Sequence, residues 1–159
     1  MWTVIGSPVG DLRIVEHHGA VSAIEFSPFR ETDGRPRGQQ DDDHPVLVEA
    51  TAQLRSYFAR ERRDFDLPLA PVGTEFQQRV WKELIRIPYG ETTSYGELAR
   101  RLGLTNAASR AVGHANGQNP IPIVIPCHRV IGADGTLTGY AGGIERKQTL
   151  LEVEQDALF

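Results

Sequence analysis

Apolar residues alternate with polar ones over the first 26 positions and recur at three- and four-residue steps over much of the remainder. Trp2-Thr3-Val4-Ile5 is apolar and partly β-branched, Pro8-Val9-Gly10 is turn chemistry, and Leu12-Arg13-Ile14-Val15 resumes the strand. His18-Gly19 marks a second turn and Val21 to Phe26 alternates again, so the pattern predicts a small antiparallel meander. Residues 27–44 are polar and rich in Arg, Asp, Gly and Gln, the composition of a mobile loop. A helix is predicted from Pro45 to about Arg60, with Val46, Ala50, Leu54 and Phe58 in line at four-residue steps. The Pro-rich stretch Leu67 to Gly73 reads as extended and closes a first domain, residues 1–73.

The second domain, residues 74–159, is mainly helical. Thr74-Glu75-Phe76-Gln77 has capping-box spacing, and the helix behind it aligns Phe76, Val80 and Leu84 before stopping at Ile87-Pro88-Tyr89-Gly90. Ser94-Tyr95-Gly96-Glu97 is a second capping box, opening a short helix to Leu102. A turn at Gly103-Leu104-Thr105-Asn106 leads to a third helix, Ala107 to about Asn116, and the pair is a helix-turn-helix candidate. Ala107, Ala108, Ala111, Gly113 and Ala115 make that third helix slim, suited either to close packing or to a narrow groove. Ile121 to Ile125 is read as extended. Asp134-Gly135 signals a hairpin between Val130-Ile131 and Leu137-Thr138, and a last helix runs from Ile144 to about Gln155. The fold class is therefore α+β: a small antiparallel sheet with a helix, then a helical domain with a helix-turn-helix.

A chain of 159 residues with 40% hydrophobic and 24% charged positions has the makeup of a soluble globular protein. The first residues hold no basic stretch followed by an apolar run, so no signal peptide is expected. The most apolar short segment, Ile121 to Ile125, is far too brief to span a bilayer, and no membrane partner is expected. The formal charge of −4 does not point to nucleic acid. It is unevenly placed: residues 1–73 hold 8 Lys+Arg against 12 Asp+Glu, while residues 74–159 hold 9 of each. The second half can thus present a basic face, with Arg100, Arg101 and Arg110 close together. The single cysteine excludes an internal disulfide and a cysteine-cluster zinc site, and it fits a reducing cytoplasm. His17 and His18 flank a turn, the usual setting of solvated histidines rather than metal ligands. No metal or other cofactor is expected.

Cys127 is followed at once by His128. A free thiol with a pKa of about 8.5 is only slightly ionised at neutral pH, and a nearby imidazole able to take the proton makes it a soft nucleophile for saturated carbon. Neighbours in sequence need not touch, and a lone cysteine can equally be a buried small hydrophobe. Glu154 bears on that choice. It lies four and three residues beyond Leu150 and Leu151, which must face the core, and a carboxylate there needs a partner. It sits either at the rim of the core or against His128, as in a Cys-His-acid arrangement. Asn119, between Gln118 and Pro120, is either an ordinary loop residue or one whose amide fixes a turn.

Pro126-Cys127-His128-Arg129-Val130, with Asn119-Pro120 eight residues before the cysteine, resembles the O6-alkylguanine-DNA alkyltransferase family. The resemblance extends from residue 74 to about 154 through Phe76 to Trp81, Ile87 to Gly90, Ser94-Tyr95-Gly96, Arg110 to Gly113 and Tyr140 to Gly143. It implies one irreversible transfer of an alkyl group from O6-alkylguanine in duplex DNA to Cys127, with O4-alkylthymine left open as a substrate. His128 is then the base acting through a water, Glu154 the carboxylate orienting it, and Asn119 the hinge residue beneath the site. The helix-turn-helix enters the minor groove. Arg110 fills the gap left by the flipped nucleotide, and Tyr95, with Ser94 beside it, crowds the adjoining phosphate. Val130 and Tyr140 resemble parts of the guanine pocket, and Ala141 stands where some relatives have a serine that can bond the base, implying a pocket that is either roomier or less tightly binding. Asn116 stands where some relatives place an apolar groove contact.

The expected partner is double-stranded DNA carrying alkylated guanine. The protein is expected as a monomer in solution, with clustering along DNA left open, and in the cytoplasm. A cysteine hydrolase would share the triad but turn over repeatedly, and a helix-turn-helix protein that only binds damage would lack the acceptor thiol.

Overall fold

Leu12 and Ile14 have no exposed surface in the central strand of the first compact unit, Met1–Val72 of the computed structural model. The structure describes residues 1–31, 34 and 37–156. In this unit β1 (Trp2–Ile5), β2 (Leu12–His17) and β3 (Ala20–Phe26) form an antiparallel sheet in chain order, with Ile5 opposite Leu12 and Ile14 opposite Ile24. The meander follows from the turns at Gly10 and His18-Gly19, where φ is positive at all three residues. His17 and His18 are exposed, and among the described residues no cluster of His, Cys, Asp and Glu could hold a metal.

Helix α1 (Pro45–Phe58) has Pro45 in its first turn, while His44 Nδ1 accepts from the Val46 N–H. Its buried stripe is Leu47, Ala50, Leu54 and Tyr57, whereas Val46 and Phe58 are half-buried. A strict four-residue step drifts around a helix of 3.6 residues per turn, and alternating steps of three and four keep one face. Part of the segment expected as a mobile loop is pinned. Gln39 O accepts from Trp2 N, Asp41 N donates to Trp2 O, and Arg37 pairs with Glu25 at 2.8 Å. Thr32, Asp33, Arg35 and Pro36 of that segment lie outside the described residues. The Pro-rich stretch is extended as expected, because Pro68 O and Ala70 N bond Val21 along the free edge of β3.

The second unit, Gly73–Phe159, begins with α2 (Glu75–Ile85), whose Thr74–Gln77 capping box is complete. Val80, Trp81 and Leu84 are buried, and the Trp81 indole N–H donates to Ala115 O at 2.9 Å. Next come β4 (Thr93–Ser94), α3 (Tyr95–Arg101), α4 (Ser109–Gly117), β5 (Val130–Ile131) and α5 (Ile144–Asp156). Ser94 caps α3 by accepting from the Glu97 N–H, but the expected return bond is replaced by pairing of Glu97 with Arg100 and Arg101. The third helix starts as a 3₁₀ turn over Asn106–Ala108 and becomes α-helical only at Ser109.

Two further expectations are corrected. Ile121 to Ile125 is a tight buried turn, not an extended segment, because its backbone bonds are local and Ile123 adopts φ +75°. The Asp134-Gly135 turn forms, with Gly132 N donating to Thr136 O, yet no hairpin follows it. Val130 and Ile131 instead pair in parallel with Thr93 and Ser94, so the partner strand comes from far back in the chain. Among the described residues no helix is long and apolar enough to cross a membrane.

Candidate active site and DNA-binding face

Every residue from Ile121 to Val130 is buried, so this irregular segment must satisfy its backbone internally. Asn119 does much of that. Its side-chain oxygen accepts from Ile121 N at 3.0 Å and its Nδ2 donates to Ile125 O at 2.8 Å, bracketing the turn. Within the bracket, Val124 N donates to Pro122 O across Ile123, a γ-turn of the strained hand for a β-branched residue. Cys127 N donates to Ile125 O across Pro126, whose φ of −81° and ψ of 63° suit the relaxed γ-turn. The chain then enters a 3₁₀ turn, Cys127–Arg129, which buries both Cys127 and His128 where a strand would have sent them to opposite faces.

His128 Nε2 lies 2.6 Å from Glu154 Oε2. Leu150 and Glu154 do share the buried face of α5, while Leu151 is only half-buried. Glu154 also accepts from Arg129 Nε at 2.8 Å and Nη2 at 3.0 Å, and from Gly90 N at 3.3 Å. Burial raises the carboxyl pKa, but the bonds from His128 and Arg129 outweigh it and bring Glu154 down to about 2. Burial holds His128 below the usual imidazole range despite Glu154. The pair is therefore a carboxylate and a neutral imidazole: Nε2–H donates to Glu154 and Nδ1 keeps its lone pair. His128 Nδ1 has no hydrogen-bond partner among the described residues. Burial pushes the Cys127 thiol up to about 11, against hydrogen bonds from Asn119 and Tyr140 and the charge of Lys147. The resting sulfur is a thiol that needs a base.

Two buried cations complete the site, and sequence reading passed over both. Arg129 Nη1 donates to Ile87 O at 2.6 Å and its guanidinium lies 5.7 Å from the Tyr89 ring centroid, so the Ile87-Pro88-Tyr89-Gly90 stop is also the clamp on Arg129 and Glu154. Lys147 Nζ donates to Val130 O at 2.6 Å and Thr138 O at 2.8 Å. The signal for Lys147 was its spacing, three before Leu150 and seven before Glu154 on the same face. Val130 is buried, Tyr140 half-buried with its hydroxyl oxygen inside, and Ala141 exposed.

On α3, α4 and the 3₁₀ turn that leads into α4, the exposed residues include Arg100, Arg101, Ala107, Arg110, Ala111 and His114, while Val112, Ala115 and Asn116 face inward. The slimness of α4 thus serves both faces, with small residues outward as well as inward. Tyr95 is half-buried, its ring against α4 where a Cβ on Gly113 would meet it at 3.4 Å. Ser94 is half-buried as the α3 cap. Asn116 is not on the outer face: it is 2% exposed, and its Nδ2 reaches Cys127 O at 3.4 Å. It links α4 to the cysteine turn.

A buried thiol next in sequence to a buried histidine–carboxylate pair, on a unit with exposed arginines on a helix-turn-helix, is the makeup of a cysteine-dependent protein working beside DNA. Comparison with known proteins narrows the class. Residues 75–156 match the 6-O-methylguanine DNA methyltransferase DNA binding domain, and residues 1–71 match the ribonuclease-like domain of the same proteins. The chain is 62% identical over 154 residues to the methylated-DNA–protein-cysteine methyltransferase of Mycolicibacterium paratuberculosis, covering 97% of this chain and 92% of the relative. It is 45% identical over 157 residues to the constitutive enzyme of that name from Bacillus subtilis, covering 97% and 94%. Among solved structures it is similar to Mycobacterium tuberculosis O6-methylguanine methyltransferase, with TM-score 0.89 and 46% identity over 98% of this chain and 93% of that one. The same coverage and identity hold for M. tuberculosis OGT in complex with DNA, at TM-score 0.84. The chain belongs to the 6-O-methylguanine DNA methyltransferase family.

Proposed function

We infer that this protein repairs alkylated DNA by direct reversal, taking the alkyl group of O6-alkylguanine onto Cys127 in a single irreversible turnover. The observation that carries the reading is the buried His128–Glu154 pair next in sequence to the buried Cys127, on the unit that also bears the helix-turn-helix.

The Cys127 proton passes through a water to His128 Nδ1, and the imidazolium so formed is stabilised by the Glu154 carboxylate. The sulfur then attacks the alkyl carbon, a carbon–sulfur bond forms, and the carbon–oxygen bond to guanine breaks. Tyr140 donates its hydroxyl proton to the departing base and is reprotonated from His128, so the thiol proton ends on guanine. The thioether has no easy route to hydrolysis, and the protein is spent.

The target atom cannot be reached inside the stack, so the nucleotide is flipped at a cost of about a few kcal/mol. The outward Ala107 and Ala111 beside Arg110 suit a narrow groove, which supports minor-groove docking with Arg110 filling the vacated place. Tyr95 and Ser94 contact the adjoining phosphate, while Val130, Tyr140 and Ala141 line the guanine pocket. The two domains divide at residue 73, the protein acts as a monomer, and it works in the cytoplasm, where a lone thiol stays reduced. A Cys127→Ala variant tests the reading: it binds O6-methylguanine duplex like the native protein and leaves the methyl group on the base. Removal of the methyl by that variant would overturn it.

A further inference from the structure

Between β5 and α5 runs the segment Gly132-Ala133-Asp134-Gly135-Thr136-Leu137-Thr138-Gly139-Tyr140-Ala141-Gly142-Gly143, nearly half of it glycine. Such a chain has little conformational preference of its own, and ordering it costs backbone entropy at each residue. Yet it carries Tyr140, whose hydroxyl must be aimed at the reacting centre. Its two ends are closed by local turns. Asp134 accepts from Thr136 N and Oγ1 at one end, and Gly143 N donates to Tyr140 O at the other.

The middle is held by Thr138, and from two sides. Its carbonyl accepts from Lys147 Nζ at 2.8 Å, and its hydroxyl donates to the Tyr95 hydroxyl oxygen at 3.2 Å. Tyr95 is the first residue of α3 and packs on α4 at Gly113, so the second bond runs from the pocket segment to the helix-turn-helix. We propose that Thr138 is a positioning residue: through the Tyr95 hydroxyl it clasps the Tyr140 segment to the DNA-reading helices, so that Tyr95 sets the pocket as well as contacting DNA. This rests on the reading of Tyr140 as a pocket residue.

The free base O6-benzylguanine separates the roles, since it needs the pocket but no flipping. With it, Thr138→Val and Tyr95→Phe are each expected to lower the transfer rate about fivefold, the factor set by one neutral hydrogen bond. The double variant should be no slower than either single one, and Thr138→Ser should restore the native rate. A Tyr95 that acts only on the DNA strand would leave the free-base rate of Tyr95→Phe unchanged. That result, additive losses in the double variant, or a native rate for Thr138→Val would overturn the clasp. Tyr140→Phe is the control for the underlying reading: if it retains the native free-base rate, the pocket role of Tyr140 fails, whatever Thr138 does.

Discussion

His128 Nε2 stands 2.6 Å from Glu154 Oε2, with the two side chains 0% and 1% exposed. A carboxylate in that place fixes the imidazole tautomer and leaves Nδ1 as the proton acceptor. Glu154→Gln removes the charge that stabilises the imidazolium. Transfer to Cys127 is expected to slow about a hundredfold, within the range of general-base effects. Affinity for unmodified duplex should be nearly unchanged, since α5 carries none of the exposed arginines of α3 and α4. Single-turnover transfer beside a binding titration checks this, and equal losses in both would make Glu154 a structural carboxylate only.

Acid should act on this site in two stages. His128 has its pKa held below 6.5 by burial, so the neutral base persists through neutral pH and acid lowers the transfer rate only below pH 6.5. A folded histidine of lowered pKa binds its proton less readily than in the unfolded chain, so it costs stability as pH drops below 6.5. Glu154, lowered from 4.5 to about 2, contributes stability that is present above 4.5 and lost as pH falls toward 2. The loss from Glu154 should be about 3 kcal/mol. Melting curves across that window, native against Glu154→Gln, measure it; the native protein should lose its advantage at the acid end.

Asn119 gives the Ile121 N–H its acceptor in the buried turn and gives the Ile125 carbonyl a second donor beside Cys127 N. Asn119→Ala leaves the Ile121 N–H without its acceptor and removes one of the two donors to the Ile125 carbonyl, which should cost about 1–3 kcal/mol. The turn also sets the direction of Cys127, so transfer should slow in whatever fraction stays folded. Denaturant unfolding reads the first effect, and a shift well below this range would show that the turn holds without its asparagine.

The sheet, the helices and the cap at Thr74 were legible because each rests on local chemistry: alternation, turn residues, and an oxygen placed three residues before its donor. Glu154 was legible as a carboxylate on an apolar face. The turn at Ile121 to Ile125 was not, because β-branched residues between prolines favour extension, and only the tertiary bracket from Asn119 and the positive φ at Ile123 overrule that preference. The parallel pairing of Val130 with Thr93 was hidden for a similar reason, since a local hairpin signal concealed a partner 37 positions away. Arg129 and Lys147 were passed over because charged residues are rarely fully buried, and nothing short of the fold reveals that the carbonyls of Ile87, Val130 and Thr138 await them.

Arg110 is exposed on α4 whereas Cys127 is buried, which suits a role in extruding the nucleotide rather than in chemistry on carbon. Arg110→Ala should slow repair of duplex O6-methylguanine at least about tenfold, a fraction of the few kcal/mol that flipping requires. The rate with free O6-benzylguanine should stay close to native. Parallel decline with both substrates would place Arg110 in the pocket or the fold.

The central claim is that Cys127 is the acceptor and is consumed. Intact-protein mass after incubation with excess O6-methylguanine duplex tests it most directly. The account predicts a gain of a single methyl group per molecule, mapped by peptide fragmentation to Cys127, with guanine restored in equal amount and no further repair. Repair continuing beyond one equivalent, or a methyl group carried on any other residue, would contradict it.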